Sequence, residues 1–132
     1  MRQEHISIVL ADEHPLYREA LAVSLRQSSQ IRVIGQSSTG PQAEELFRSL
    51  RPDILVIDVT MHTSKGFETS DSILRWDPGA RIIWLSTFLR ESYYKRAHES
   101  GIKGYLAKSM SFAQMLEAIW AVYHGQSYLS RQ

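Results

Sequence analysis

The sequence contains no cysteine among its 132 residues. Disulfide bonds, thiolate-metal sites and cysteine redox chemistry are therefore excluded, and the composition suits a reducing cytoplasm. An excess of charge of one sign is also lacking, because 15 Lys and Arg stand against 14 Asp and Glu, for a formal net charge of +1. Domains that bind nucleic acid usually carry a clustered basic excess. The chain itself is therefore not expected to bind DNA.

Long hydrophobic runs are missing as well. Residues 1–5 lead into an apolar stretch of about six residues, which is too short for a signal-peptide core or a membrane span. No later segment approaches about 18 continuous apolar residues. The length suits one compact domain whose core is large enough to need no cross-links. We therefore expect a cytoplasmic domain with no membrane partner.

Five short runs are rich in β-branched and apolar residues and are bounded by turn formers or charges, which is the pattern of β-strands. The first, third and fourth runs are nearly continuous, as is typical of strands covered on both faces in a parallel sheet. The predicted strands are residues 6–11, 31–35, 54–57, 81–85 and 104–107.

Segments with a helical period of apolar residues lie between these strands. The stripe is clear in the first, second and last segments, and weaker after residue 66 and around residues 93–98. Pro15 opens the first helix, Thr39 with Gln42 has the form of a capping box, and Ser111 precedes the last helix. Five strands alternating with five helices predict a doubly wound α/β fold, with helices on both faces of a parallel sheet.

Polar residues stand where four of the predicted strands end, and ligands bind at that edge of an open α/β sheet. They are Asp12, Glu13, Asp58, Ser86 and Lys108. Three nearby carboxylates repel one another unless a cation neutralises them, and Mg²⁺ suits such oxygen ligands best. A central carboxylate can attack a phosphoryl donor to form an aspartyl phosphate. The metal, Lys108 and Ser86 could then hold the phosphoryl oxygens.

Three motifs together resemble the receiver domain of bacterial two-component response regulators, from about Ile6 to Leu129. They are Asp12-Glu13-His14-Pro15-Leu16, the stretch 55–61 with Gly66 eight residues after Asp58, and Gly104-Tyr105-Leu106-Ala107-Lys108. The His-Pro-Leu sequence, and Tyr128-Leu129-Ser130 after the last helix, are similar to the NarL/FixJ (LuxR-type) subfamily.

The resemblance implies a flavodoxin-like or CheY-like (βα)5 fold with strand order 2-1-3-4-5. It implies a receiver domain over residues 1–126 and the start of a linker over residues 127–132. In this subfamily a helix-turn-helix DNA-binding domain normally follows, and it is absent from this chain. The implied function is a phosphorylation switch, rather than a turnover enzyme, that controls transcription through that domain.

By the same resemblance, Asp58 is the phosphoacceptor for a sensor histidine kinase. Mg²⁺ would be bound by Asp12, Glu13, Asp58 and the backbone carbonyl of Thr60. A homodimer through the first and last helices is also implied by the family.

The resemblance assigns the remaining roles to three residues. Lys108 would pair with the phosphate, and Ser86 would donate a hydrogen bond to it. Tyr105 would be the aromatic switch that turns inward when Ser86 moves.

The sequence departs from the family pattern near the proposed site. His62 stands where a proline is usual, and Thr63-Ser64-Lys65 after it are atypical. Without the fixed φ of proline we expect a more mobile loop. Thr87 stands where a very small residue is usual, and Phe88 follows it. No chemical group of the site is lost, so we expect a working site with unusual kinetics.

Three other interpretations stay open. His14 and His62 near the carboxylates suggest a transition-metal centre, although they lack motif spacing. A phosphatase with an aspartyl nucleophile is a second interpretation, but Thr60 stands where haloacid-dehalogenase-type enzymes carry their second acid. The third is a receiver-like module that binds partners without phosphate, which the residues His62 and Thr87 suggest.

Overall fold

The computed structural model describes residues 5–60 and 66–131. Its strands are β1 (Ile6–Ala11), β2 (Ile31–Ser37), β3 (Ile54–Asp58), β4 (Ile82–Ser86), β5 (Gly104–Ala107) and β6 (Tyr128–Leu129). Its helices are α1 (Pro15–Arg26), α2 (Gly40–Leu50), α3 (Gly66–Trp76), α4 (Glu91–Ser100) and α5 (Phe112–Tyr123). The predicted alternation of strands and helices is confirmed. Among the described residues, no helix has the length and apolar character needed to cross a membrane.

The sheet is parallel throughout and has the strand order β2-β1-β3-β4-β5-β6. The predicted order 2-1-3-4-5 is therefore confirmed, with β6 as an additional strand. β2 lies on one side of β1 and β3 lies on the other, so the direction in which the sheet grows reverses after β2. Such a reversal opens a crevice at the carboxyl ends of the two central strands, where open α/β sheets bind their ligands.

The core lies in two layers, one on each face of the sheet. Along β3 the buried residues Ile54 and Val56 face one layer, and Leu55 and Ile57 face the other. The first layer packs under α1 and α5, and the second under α2, α3 and α4. Because β3 is covered on both faces, its sequence is a continuous apolar run rather than an alternating one.

Both predicted N-cap residues, Thr39 and Ser111, cap their helices, but the reciprocal capping box predicted at Thr39 and Gln42 is found at Ser111 and Gln114 instead. The Thr39 hydroxyl oxygen accepts the backbone N–H of Gln42 at 3.2 Å. Ser111 and Gln114 form a reciprocal capping box, in which the Gln114 side chain accepts the Ser111 N–H at 3.0 Å. These caps satisfy N–H groups that the first turn of a helix leaves unpaired. They also fix where α2 and α5 begin relative to the sheet.

The C-terminal segment adds a strand that the sequence pattern did not indicate. Tyr128 and Leu129 pair in parallel with Gly104 and Tyr105 of β5, and the N–H of Ser130 donates to the Tyr105 carbonyl at 2.9 Å. The segment expected to begin a linker therefore continues the sheet along the β5 edge.

An ion pair follows this strand and ties it to α4. The guanidinium of Arg131 binds the Glu91 carboxylate at 2.5 Å and lies 4.3 Å from the ring centroid of Tyr94. The hydrogen bond from Arg131 holds the pKa of Glu91 below its ordinary value. The C-terminal segment therefore contacts both β5 and the first turn of α4.

Candidate functional site

Two buried carboxylates meet at the carboxyl ends of the central strands. Asp12 directly follows β1, and Asp58 is the last residue of the neighbouring β3. Asp58 is 0% exposed and Asp12 only 3%. The ammonium nitrogen of Lys108, which follows β5, lies 2.7 Å from Oδ2 of Asp12 and 3.0 Å from Oδ2 of Asp58. The cation offsets a repulsion that two buried carboxylates would otherwise suffer.

The two oxygens of Asp58 have different surroundings. Oδ1 accepts hydrogen bonds from the backbone N–H of Thr60 at 2.7 Å and from its hydroxyl at 2.5 Å. Oδ2 accepts the ammonium of Lys108. Thr60 therefore fixes the orientation of the carboxylate, and Oδ2 faces the cationic side of the crevice.

His14 completes a group of three possible cation ligands. Its Nδ1 lies 3.0 Å from Oδ1 of Asp12 and 3.1 Å from Nζ of Lys108. The ligand atoms of Asp12, His14 and Asp58 all lie within 4.8 Å of one another. The sequence named His14, together with His62, as a possible ligand of a transition-metal centre. The structure places the His14 ring against Asp12, and His62 lies outside the described residues.

The donor set fits a divalent cation. Oδ2 of Asp12 is buried and has no aligned hydrogen bond among the described residues, although Lys108 lies within ion-pair distance of it. Carboxylate oxygens are the ligands that hard divalent ions prefer. Glu13, half-buried between β1 and α1, lies outside the group of three just described.

The partly buried ring of Tyr17 lies next to Lys108 at the edge of the site. Its ring centroid lies 4.4 Å from Nζ of Lys108. Burial, followed by the charges of Asp12 and Asp58, raises the pKa of Tyr17 from 10.0 to about 12. Tyr17 therefore stays protonated and neutral beside the carboxylates at physiological pH.

Gly66 allows α3 to begin close to Asp58. A Cβ at this position would lie 2.9 Å from the Asp58 carbonyl oxygen and 2.9 Å from Cα of Val59. Ordinary side chains do not fit at such a distance from backbone atoms. The first turn of α3 therefore packs directly on the backbone of the site.

A model of the response regulator receiver domain matches residues 8–120 of this sequence. The chain belongs to the response regulator receiver family. The matched range contains both carboxylates, Lys108, most of β1 and all of β2 to β5.

Curated relatives are response regulators of the NarL/LuxR type. The transcriptional regulatory protein DesR of Bacillus subtilis is 32% identical over 121 residues, which are 92% of this chain and 60% of DesR. The nitrate/nitrite response regulator protein NarL of Escherichia coli is 33% identical over 128 residues, which are 97% of this chain and 59% of NarL. The chain thus spans about three fifths of the length of these relatives.

A solved structure of similar sequence has the same fold. It is a two-component response regulator of the LuxR family from Aurantimonas sp. SI85-9A1, with a TM-score of 0.90 and 30% identity, over 96% of this chain and 91% of that one. Neither the family match nor these relatives support the interpretation as a phosphate-independent module.

In this receiver domain the two expected switch residues contact each other. Tyr105 is 0% exposed, and its hydroxyl oxygen accepts the backbone N–H of Arg90 at 2.9 Å. The hydroxyl of Ser86 donates to the carbonyl oxygen of Phe88 at 2.6 Å and lies 3.2 Å from the Tyr105 hydroxyl. The structure therefore shows Tyr105 turned inward and the Ser86 hydroxyl engaged by its own loop.

The departures from the family pattern fall partly within the described residues. The hydroxyl of Thr87 lies 3.4 Å from that of Thr60, which itself holds Asp58. Phe88 is 69% exposed. His62 and its neighbours lie outside the described residues, together with the expectation of a mobile loop there.

Proposed function

We propose that Asp58 accepts a phosphoryl group in a Mg²⁺-dependent reaction, and that this modification switches the receiver domain. The observation that carries the proposal is the ammonium of Lys108 between the buried carboxylates of Asp12 and Asp58, at 2.7 and 3.0 Å. A buried pair of acids costs stability unless it is neutralised. Such an arrangement is expected where the charge serves a reaction.

The proposed reaction is a nucleophilic displacement at phosphorus. A carboxylate oxygen of Asp58 attacks the phosphorus atom, and the bond from phosphorus to the donor's leaving atom breaks with its electron pair. Thr60 orients the carboxylate through its two hydrogen bonds to Oδ1. The ammonium of Lys108 is placed to neutralise a phosphoryl oxygen. Positioning and charge neutralisation of this kind supply most of the catalysis in phosphoryl transfer.

Four residues would hold the metal ion. Asp12 and Asp58 lie in the carboxylate cluster, and we assign Glu13 and the backbone carbonyl of Thr60 as further oxygen ligands. When bound, Mg²⁺ would supply positive charge that offsets the negative charge of the transferring phosphoryl group. The carboxylate donors of this chain suit that hard ion.

The proposed switch acts through the Ser86 hydroxyl. Phosphoryl oxygens compete with the Phe88 carbonyl for this donor, since they carry more negative charge. If the hydroxyl turns toward Asp58, it leaves both Phe88 and Tyr105. The hydrogen bonds that set the position of the loop before α4 then change. Tyr105 already lies inward in this structure, so phosphorylation would shift the balance between two pre-existing states of this loop.

The proposed partners follow from the same family. A sensor histidine kinase would supply the phosphoryl group in the cytoplasm. Residues 1–126 would form the receiver domain, and residues 127–132 would lead to a C-terminal helix-turn-helix domain that binds DNA. Leu16 and Val23 of α1 are 84% and 57% exposed, and Phe112 of α5 is 38% exposed. These apolar side chains support a homodimer surface on the first and last helices.

The intact mass of the protein after incubation with acetyl phosphate tests the proposed acceptor. We expect one added phosphoryl group in the presence of Mg²⁺ and none after chelation. Asp58→Asn removes the nucleophile while keeping the shape of the side chain, so it should show no adduct. The matched control is Asp71→Asn, which changes an acid on α3 that pairs with Arg96 and should be modified like the wild type.

If no adduct forms, binding of a phosphoryl mimic tests the site without requiring a stable phosphoryl group. The phosphoryl mimic beryllium fluoride should bind the wild type in the presence of Mg²⁺ and shift the amide resonances of Ser86 and Arg90. If neither adduct nor mimic binding is seen, the phosphorylation switch is rejected.

A further inference from the structure

Arg18 links three elements next to the acidic cluster. It lies in the second turn of α1, and its Nη1 donates to the backbone carbonyl oxygen of Asp12 at 2.6 Å. Its Nε donates to the side-chain oxygen of Gln36 in β2 at 3.2 Å. The guanidinium therefore ties the end of β1 to α1 and to the neighbouring strand. A planar guanidinium is suited to holding two acceptors in fixed directions.

Both the backbone N–H and the backbone carbonyl of Asp12 form hydrogen bonds with other residues. Its N–H donates to the carbonyl oxygen of Ser37 at 3.0 Å, and its carbonyl oxygen accepts from Arg18. Its Oδ1 accepts the backbone N–H of His14 at 2.9 Å. Of these contacts, only the one from Arg18 fixes the direction of the carbonyl.

The direction of the Asp12 carbonyl fixes the peptide plane between Asp12 and Glu13, because the peptide unit is planar. Rotation of this plane would turn the Glu13 backbone relative to Asp12. The two acids can approach one cation together only in a limited range of orientations. Arg18 therefore restricts the loop before any cation binds, and such preorganisation favours binding.

Arg18 differs from Lys108 in how it contacts the acids. Lys108 lies within ion-pair distance of the carboxylates of Asp12 and Asp58. Within the described residues Arg18 forms no ion pair with either of them. It holds the backbone of Asp12 and leaves the carboxylate oxygens to other cations.

We propose that Arg18, anchored by Gln36, is a positioning residue that sets the Asp12–Glu13 loop for binding a divalent cation. This inference rests on the proposed Mg²⁺ site. It assigns to Arg18 an effect on cation affinity and none on the transfer step itself.

The test measures Mg²⁺ affinity by NMR titration and, separately, the rate of phosphorylation by acetyl phosphate at saturating Mg²⁺. Arg18→Gln should weaken Mg²⁺ binding about tenfold, the size expected for the loss of one hydrogen bond from a charged donor. The phosphorylation rate at saturating Mg²⁺ should stay within about twofold of the wild type. Arg18→Lys can still reach one acceptor and should recover part of the affinity. Arg48→Gln removes an exposed arginine that pairs with Glu44 and should leave the affinity unchanged.

Gln36→Ala provides a variant that leaves the arginine and the acid loop intact. It should weaken Mg²⁺ binding in the same direction by about threefold, and its effect should not add to that of Arg18→Gln, because the two residues act together. Thermal unfolding of each variant shows whether the fold is retained. Wild-type affinity in Arg18→Gln, or a fall in the saturated phosphorylation rate with unchanged affinity, would overturn the proposal. Absence of Mg²⁺ binding in the wild type would reject the metal site, and the positioning role with it.

Discussion

The hydroxyl oxygen of Tyr105 accepts the backbone N–H of Arg90 at 2.9 Å and so connects the middle of β5 to the residue that precedes α4. The first prediction removes this contact. Tyr105→Phe should lower the free energy of unfolding by about 1 kcal/mol, the usual net value of one hydrogen bond. Urea denaturation measures the loss, and hydrogen exchange should show faster exchange of the Arg90 amide.

Tyr123→Phe is the matched control for this loss of a hydroxyl. The ring of Tyr123 packs against Trp120 and His124, and no hydrogen bond of its hydroxyl is seen within the described part of the chain. The free energy of unfolding of Tyr123→Phe should differ from that of the wild type by less than about 0.5 kcal/mol. An equal loss in both variants would mean that the Tyr105 hydroxyl has no specific role.

The second prediction concerns Lys108, the cation between two buried acids. In metal-free protein, Lys108→Met should lower the free energy of unfolding by about 3–5 kcal/mol, because it leaves Asp12 and Asp58 without their counter-charge. Adding Asp58→Asn should restore part of this loss. Mg²⁺ should raise the melting temperature of Lys108→Met more than that of the wild type, since the ion replaces the missing charge.

Lys103→Met is the control for Lys108→Met. Lys103 forms no ion pair within the described residues, so its loss should change stability by less than about 0.5 kcal/mol. A small effect of Lys108→Met under chelation would show that the acids do not depend on this ammonium.

The third prediction concerns the close packing of α3 on the site. Gly66→Ala places a methyl group 2.9 Å from the carbonyl oxygen of Asp58 and from Cα of Val59. Backbone atoms must shift to admit it, and overpacking of this kind costs about 1–3 kcal/mol. We also expect slower phosphorylation of Asp58. Gly79→Ala, whose nearest neighbour would be 3.5 Å away, should have little effect on either measurement.

The fourth prediction is a pH dependence that arises from Tyr17. Its pKa is raised from 10.0 to about 12 in the folded protein, so the unfolded state loses this proton first. The free energy of unfolding is therefore unaffected by ionisation of Tyr17 well below pH 10, and it falls as the pH rises through 10 toward 12. The expected loss in metal-free protein is about 1.4 kcal/mol at pH 11 relative to pH 9.

In Tyr17→Phe the free energy of unfolding should not show this part of the fall between pH 9 and pH 11. The measurement is the difference in unfolding free energy between pH 9 and pH 11 for the wild type and for the variant. Identical differences would contradict the raised pKa.

Much of the fold could be predicted because β1, β3 and β4 are continuous apolar runs between turn formers. The α4 helix gave a weak pattern because Ala97 is its only buried residue. The β6 strand was missed because two half-buried residues carry no periodicity. Its position depends on α5 returning the chain to the β5 edge, which is a tertiary effect.

The part of the candidate site that lies at the ends of strands could be predicted from the sequence. Asp12, Asp58 and Lys108 are brought together because their strands are parallel and close to one another in the sheet. The contact of Arg18 with the Asp12 carbonyl was not predictable, since it depends on side-chain direction in α1. The hydrogen bond from Ser86 to the Phe88 carbonyl likewise depends on the local turn, which residue types alone do not fix.

The short β6 strand has a consequence for self-association. An uncovered sheet edge exposes unpaired N–H and C=O groups that can recruit a strand from another molecule. β6 covers the first half of β5, because Tyr128 and Leu129 pair with Gly104 and Tyr105. The added outer strand is only two residues long, and such a short strand is a poor template for intermolecular pairing. The C-terminal segment thereby protects the part of β5 that carries Tyr105 from backbone pairing with another molecule.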